Sequence, residues 1–341
     1  MHSSASPAVQ NRGTSHPSGQ DGGHEFDNAL HRIHAEQRLN HAGSVADYIP
    51  ELGLANPDDF GLAIVTVKGR LHAVGDADKP FTIQSISKAL ALCLAVQEAG
   101  SGKVASRVGF EPSGDAFNAI EFDPHSHKPF NPMVNAGAIA VSGLLCEQLG
   151  HTAFDRLMTC FATAAGRSLS LDERVYRSEK ATGHRNRAIA HLLLNHGLLK
   201  VDPEEALDVY FRQCSIAVTA VDLAAMGASL ANMGQNPLTG AEVFDPAAVR
   251  LTLSVMFTCG MYDYAGNWAC DVGVPAKSGV GGGILGVINR QLGISSYSPR
   301  LDARGNSVRG VNSFAALAEE FGLHAFDCTN LGSAVAGAYL A

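Results

Sequence analysis

Ser85 and Lys88 stand three residues apart in FTIQSISKAL (81–90), where an apolar run enters a predicted helix. Residues at that spacing share one helix face, so the lysine amine can reach the serine hydroxyl. A serine attacks a carbonyl only when a base takes its proton. A lysine serves once burial or neighbouring positive charge lowers its pKa. At the start of a helix, backbone N–H groups also face the serine and can hold an oxyanion. Taken alone, the tetrapeptide reads more often as a surface serine beside a solvated lysine. Lys277-Ser278-Gly279-Val280 lies about 190 residues downstream in a glycine-rich, strand-like stretch. It adds a second lysine, a glycine that permits close approach, and a backbone N–H on Val280 that can face the N–H of Ser85.

The elements that position these residues follow from the pattern. FGLAIVTV (60–67) and RLHAVGD (70–76) read as a β-hairpin around Lys68-Gly69. Helices are predicted over 26–39, 85–100 (ending at Gly100), 135–150, 153–166, 185–197, 203–214, 221–234, 245–261 and 313–323. NWACDVGVPAKSGVGGGILGVIN (267–289) and QLGISSYS (291–298) read as strands separated by glycines. Both ends of the chain then share one antiparallel sheet, with the central helices packed at its side. The fold class is α+β, a flanked antiparallel sheet plus a helical subdomain. Residues 1–25 are rich in Ser, Gly, His and Pro and read as a disordered tail before a catalytic domain over 26–341.

Composition excludes several classes. The chain has 341 residues, of which 46% are hydrophobic, and a net charge of −8, so nucleic acid and anionic membranes are not expected partners. No apolar run approaches the ~20 residues of a membrane span. The seven cysteines are scattered without a C-x-x-C, which suits reduced thiols in the cytoplasm. No His/Cys/acid spacing points to a metal, and GVGGGI (279–284) fails the dinucleotide pattern because no helix follows it, so no cofactor is expected.

A Ser-x-x-Lys at a helix start completed by Lys-[Ser/Thr]-Gly resembles the β-lactamase and transpeptidase fold. A more specific resemblance lies in FTIQSISK, EPSGDAFN (111–118), NPMVNAGAI (131–139), SEKATGHRNRAIA (178–190), YFRQCS (210–215), CGMYDYAGNWA (259–269) and PAKSGVGGGI (275–284). Together these blocks resemble the serine-dependent glutaminases, bacterial type without ankyrin repeats, from about Phe26 onward. The resemblance implies a β-lactamase-like fold, hydrolysis of L-glutamine to glutamate and ammonia, and a homodimer or homotetramer. It implies Ser85 as nucleophile with Lys88 as its partner, and Tyr210, Tyr262 and Lys277 as further catalytic groups. It places Tyr48, Gln84, Asn135, Glu179, Asn186 and Val280, with Ser85, Tyr210 and Tyr262, around the substrate.

The chemistry suits those types. An α-ammonium needs one anion, for which Glu179 is the candidate, and the remaining polar groups of glutamine need neutral donors. On residues alone Glu179 reads as a helix-surface carboxylate flanking Lys180, Asn135 as an N-cap before AGAIAVSGLL, and Tyr210 as core on the 203–214 helix. Lys277 is expected to keep the field positive and so hold Lys88 and Tyr210 at low pKa. Two rivals remain: another acyl hydrolase of the same fold, and a non-catalytic amino-acid sensor.

Overall fold

The computed structural model describes residues 22–114 and 119–327. Helices are α1 (Gly22–Gln37), α2 (Ser87–Ala99), α3 (Ser101–Arg107), α4 (Asn135–Leu149), α5 (Ala153–Ala165), α6 (Glu173–Thr182), α7 (His184–Asn195), α8 (Pro203–Cys214), α9 (Ala220–Ala231), α10 (Pro246–Cys259), α11 (Ala265–Asp271) and α12 (Val308–Phe321). Strands are β1 (Gly61–Thr66), β2 (Leu71–Gly75), β3 (Phe81–Thr82), β4 (Ser170–Leu171), β5 (Ile216–Val218), β6 (Ala276–Ser278), β7 (Gly283–Ile288) and β8 (Leu292–Tyr297).

Five strands form an antiparallel sheet in the order β2-β1-β8-β7-β6, so the N-terminal hairpin and the late strands share one sheet as the sequence pattern implied. The period-2 alternation of β1 divides its side chains between two cores. Ala63 and Val65 face the cluster built with α2 and α9, while Leu62 and Ile64 face Trp268 and Phe314 under α1 and α12. Helix α9 lies close against β8 because Gly293 carries no side chain. A Cβ there would stand 2.3 Å from the Ala228 nitrogen. A third cluster unites α4, α7 and α8 through Ile139, Ile189, Leu207 and Phe211 and forms the helical subdomain.

The chain departs from the sequence reading in several places. Helix α2 begins at Ser87, and Ser85 sits in a 3-10 turn over Gln84–Ile86. Residues 267–271 belong to α11, where the buried Trp268 donates its Nε1 hydrogen to Val274 O at 2.7 Å. Burial of that one ring outweighs the strand-like composition around it. Helix α1 starts four residues before Phe26, and positions 1–21 lie outside the described residues. Helices α3 and α6 were not foreseen. The apolar stripe of α5 is buried within the chain at Leu157, Phe161 and Ala164. A second sheet, β3-β5-β4, was also missed because its strands have only two or three residues. It matters for position: β3 leads into Gln84-Ser85, β4 into α6, and β5 leaves α8.

Candidate active site

Where β3 meets α2, the backbone takes an uncommon course. Gln84 has φ of +49°, a left-handed conformation that a non-glycine residue holds only when its surroundings impose it. The imposing contacts are present: Ile83 N donates to Ile216 O at 2.8 Å and Ser87 Oγ donates to Gln84 O at 2.7 Å. Ser85 follows, buried, with Lys88 on the first turn of α2. Tyr262, on the 3-10 turn after α10, is also left-handed at φ +57°. It donates its hydroxyl to Ser278 O at 3.0 Å and shares a hydrogen bond with Ser85.

Seven of the residues proposed from sequence line one cavity of about 430 Å³: Tyr48, Gln84, Ser85, Asn135, Glu179, Asn186 and Tyr210. Lys88, Lys277 and Tyr262 are buried and do not line it. Lys88 is fully buried and donates to Asn135 Oδ1 at 2.6 Å, and Asn135 Nδ2 donates to Asn186 Oδ1 at 3.1 Å. This lysine–amide–amide chain explains Asn135. Val134, not Asn135, occupies the N-cap of α4, and the Asn135 side chain makes no cap bond because it turns to Lys88. Val280 lies beside the cavity. Its side chain packs with Ile49, Leu52 and Leu301, and it lines a neighbouring cavity of about 420 Å³. Its chain runs tight against the approach to Ser85, since a Cβ on Gly281 would be 2.6 Å from Thr82 O.

Burial sets the electrostatics. It lowers Lys88 to about 8, against the opposing pull of Cys214 and Glu179. The same cause raises Glu179 to about 7, with a Gln84 hydrogen bond and the Lys88 charge acting the other way. Desolvation also lowers Lys277 well below the ordinary lysine value, and the Lys88 charge adds to this. Lys277 Nζ donates to Ser278 O at 2.6 Å and stands 4.3 Å from the centre of the Tyr262 ring. Enclosure therefore disfavours charge on Lys277 itself, a cost that its sequence setting does not show. Tyr210 is likewise held well above the usual phenol value by burial, not lowered. Tyr48 stands at the mouth with 55% of its surface exposed, while protein around its hydroxyl raises that group's pKa.

The cavity also includes Ile49, Thr182, Gly183, Arg185 and Cys214, none of which the sequence reading named. Cys214 lies one helical turn beyond Tyr210, a spacing that was legible. Its thiol is hydrogen-bonded with Tyr210 and raised to about 12 by burial. Gly183 ends α6 where a Cβ would meet the Phe211 ring at 2.5 Å. A site of this volume with one carboxylate, several neutral donors and a buried serine beside a lysine of low basicity suits acyl chemistry on a small zwitterion.

The sequence profile of the glutaminases matches residues 43–326. The chain belongs to the glutaminase family. It is 55% identical to glutaminase 2 of Bradyrhizobium diazoefficiens over 85% of its own length, and spans 46% of that relative. It is 49% identical to the glutaminase of a Nostoc species over 89% of this chain and 91% of that one. A solved structure titled Mglu in its glutamate form superposes with a TM-score of 0.86 at 44% identity, covering 91% of this chain and 72% of that one. The architecture is the β-lactamase-like one of these serine-dependent relatives.

Proposed function

We propose that this chain hydrolyses the side-chain amide of L-glutamine to L-glutamate and ammonia through an acyl-enzyme on Ser85. The observation that carries this reading is the convergence of Ser85, the Lys88–Asn135–Asn186 chain and Glu179 on one amino-acid-sized cavity. Glutamine enters with its α-ammonium toward Glu179 and its carboxylate toward the neutral amide and phenol donors. Ser85 Oγ attacks the side-chain carbonyl carbon, and its proton passes to the neutral amine of Lys88. The backbone N–H groups of Ser85 and Val280 hold the oxyanion. As the tetrahedral intermediate collapses, the amide nitrogen takes that proton and leaves as ammonia, which leaves a γ-glutamyl ester. Water then attacks the ester and gives its proton to Lys88. Glutamate departs as Ser85 Oγ recovers the proton. Tyr262, rather than Tyr210, is the phenol we assign to orienting Ser85 Oγ while Lys88 takes and returns its proton, because Tyr262 shares a hydrogen bond with Ser85 while Tyr210 is bonded to Cys214.

The relatives' names and the glutamate form of Mglu support this substrate. Among the described residues, no helix is long and apolar enough to cross a membrane. Among the described residues six cysteines are free and five of them buried, which suits the reducing cytoplasm that we propose as location. The family resemblance supports a homodimer or homotetramer, which light scattering of the purified protein would read. The central test is ammonia release from L-glutamine by wild type and by Ser85→Ala. Release that vanishes in the folded variant is the expected result. Wild-type rates in the variant would overturn the mechanism, and glutamine binding without any release by wild type would favour a sensor.

A further inference from the structure

The segment 38–58 reaches the cavity at Tyr48 and Ile49 and has little regular structure of its own. It holds one 3-10 turn, Leu52–Leu54, and one isolated bridge, Ser44 to Leu301. Its course has to be fixed from outside, and two arginines from late in the chain do so at its two ends. Arg309 of α12 is wholly buried. It donates through Nε to Asn40 O at 2.8 Å, and through its terminal nitrogens to Asp58 O and Arg38 O, both at 3.3 Å. Arg300 repeats the pattern one layer out. It donates to Pro57 O and His41 O, both at 3.1 Å, and to Asp58 Oδ1 at 3.3 Å. Each guanidinium therefore bonds the outgoing and the returning strand of one loop. A planar fork with five donors can do this, and a lysine ammonium cannot span the same set.

The far end of the loop reaches the site. Tyr48 and Ile49 line the cavity that contains Ser85. Ile49 and Leu52 pack against Val280 and Leu301, so the loop also rests on the residue whose N–H is proposed to hold the oxyanion. We propose that Arg300 and Arg309 are positioning residues that pinch the base of the 38–58 loop and thereby hold Tyr48 and Ile49 in the substrate-binding arrangement. They touch no substrate. Their effect is on the fraction of molecules whose loop is in the competent position. This proposal rests on the glutaminase reading for its kinetic consequence, though not for the clamp itself.

A binding site competent only a fraction of the time weakens apparent affinity by that fraction while the bound complex reacts normally. For Arg300→Ala, which leaves the buried Arg309 in place, KM for glutamine is expected to rise roughly 10-fold with kcat within about twofold. Hydrogen exchange of amides in 44–55 is expected to accelerate by a similar factor, without change in the α9 and β8 amides. A staple provides the rescue. Ser44 and Leu301 exchange backbone hydrogen bonds of 3.0 and 2.8 Å in both directions, a pairing close enough for a disulfide. Because Leu301→Cys also trims the packing under the loop, the oxidised Ser44→Cys/Leu301→Cys form in the Arg300→Ala background is compared with its own reduced form, and oxidation should lower KM and slow exchange.

Unchanged exchange in Arg300→Ala would show that the arginines do not hold the loop. Faster exchange with an unchanged KM, or loss of kcat and folded protein together, would show that the loop does not govern binding. Oxidation that slows exchange in 44–55 without lowering KM relative to the reduced form would overturn the proposal equally. Failure of wild type to release ammonia would strike the glutaminase reading, and the exchange data would still judge the clamp.

Discussion

Replacing Glu179 by glutamine separates the roles of charge and shape in the cavity. Burial holds this carboxyl near 7, so its ionised fraction changes steeply across the neutral range. If only the carboxylate binds the substrate ammonium, apparent KM scales inversely with that fraction. With a value of about 7, roughly one molecule in eleven is ionised at pH 6 and roughly ten in eleven at pH 8. Wild-type KM should therefore fall about tenfold between pH 6 and pH 8. Glu179→Gln removes a hydrogen bond to a charged group, worth about 1.5–3 kcal/mol, so its KM at pH 8 should rise about 10- to 100-fold. Its KM should also be flat over the same pH range. Stability supplies a second signature. The folded value lies above the unfolded one of 4.5, so the fold favours the protonated form. The stability this group contributes is present below about pH 4.5 and is lost as pH rises through 7. The glutamine variant escapes that loss, so its Tm should exceed that of wild type at pH 8, with the gap closing toward pH 5. Steady-state ammonia release and thermal unfolding across pH 5–8 measure both. A variant that keeps the wild-type KM and its pH slope would refute the assignment of Glu179 to the ammonium.

Other changes probe the remaining parts. Tyr262→Phe deletes the hydroxyl bonded to Ser278 O and Ser85, and kcat for ammonia release should fall about 100-fold with KM little changed. Asp208→Asn weakens the cluster in which one carboxylate holds Tyr176 and Lys180 of α6 and Arg212 of α8. Because α6 buries only Val175, its docking rests on those bonds, and glutamine KM should rise several-fold, more so in high salt. Gly293→Ala forces a methyl against the Ala228 nitrogen and should cost at least about 2 kcal/mol in denaturant unfolding. In wild type, kcat should climb between pH 7 and 9 as Lys88, near 8, becomes neutral, and the limb should vanish in Lys88→Ala along with activity.

Much of this protein is written locally. The spacing of Ser85 and Lys88 follows from three residues of chain, and the hairpin from Lys68-Gly69 between two β-forming runs. The central helices were visible because a continuous apolar face needs only helical periodicity. The glutamine-sized set of Asn135, Glu179, Asn186 and Tyr210 was also nameable, because several ordered blocks resemble one family.

Tertiary structure decided the rest, for reasons no local pattern contains. The two- and three-residue strands β3, β4 and β5 have no periodicity to read, and exist because they pair with one another. Asn135 reads as a cap until Lys88 is seen 2.6 Å from its oxygen, 47 residues away in sequence. Arg300 and Arg309 look like surface charges until their carbonyl partners near the other end of the chain appear. The clearest case is electrostatic. Sequence suggested that Lys277 carries charge beside Lys88, but a pKa depends on the dielectric around the group, and only the fold shows that Lys277 is sealed from water. Residue types set which chemistry was available. Burial decided which protonation states that chemistry works with.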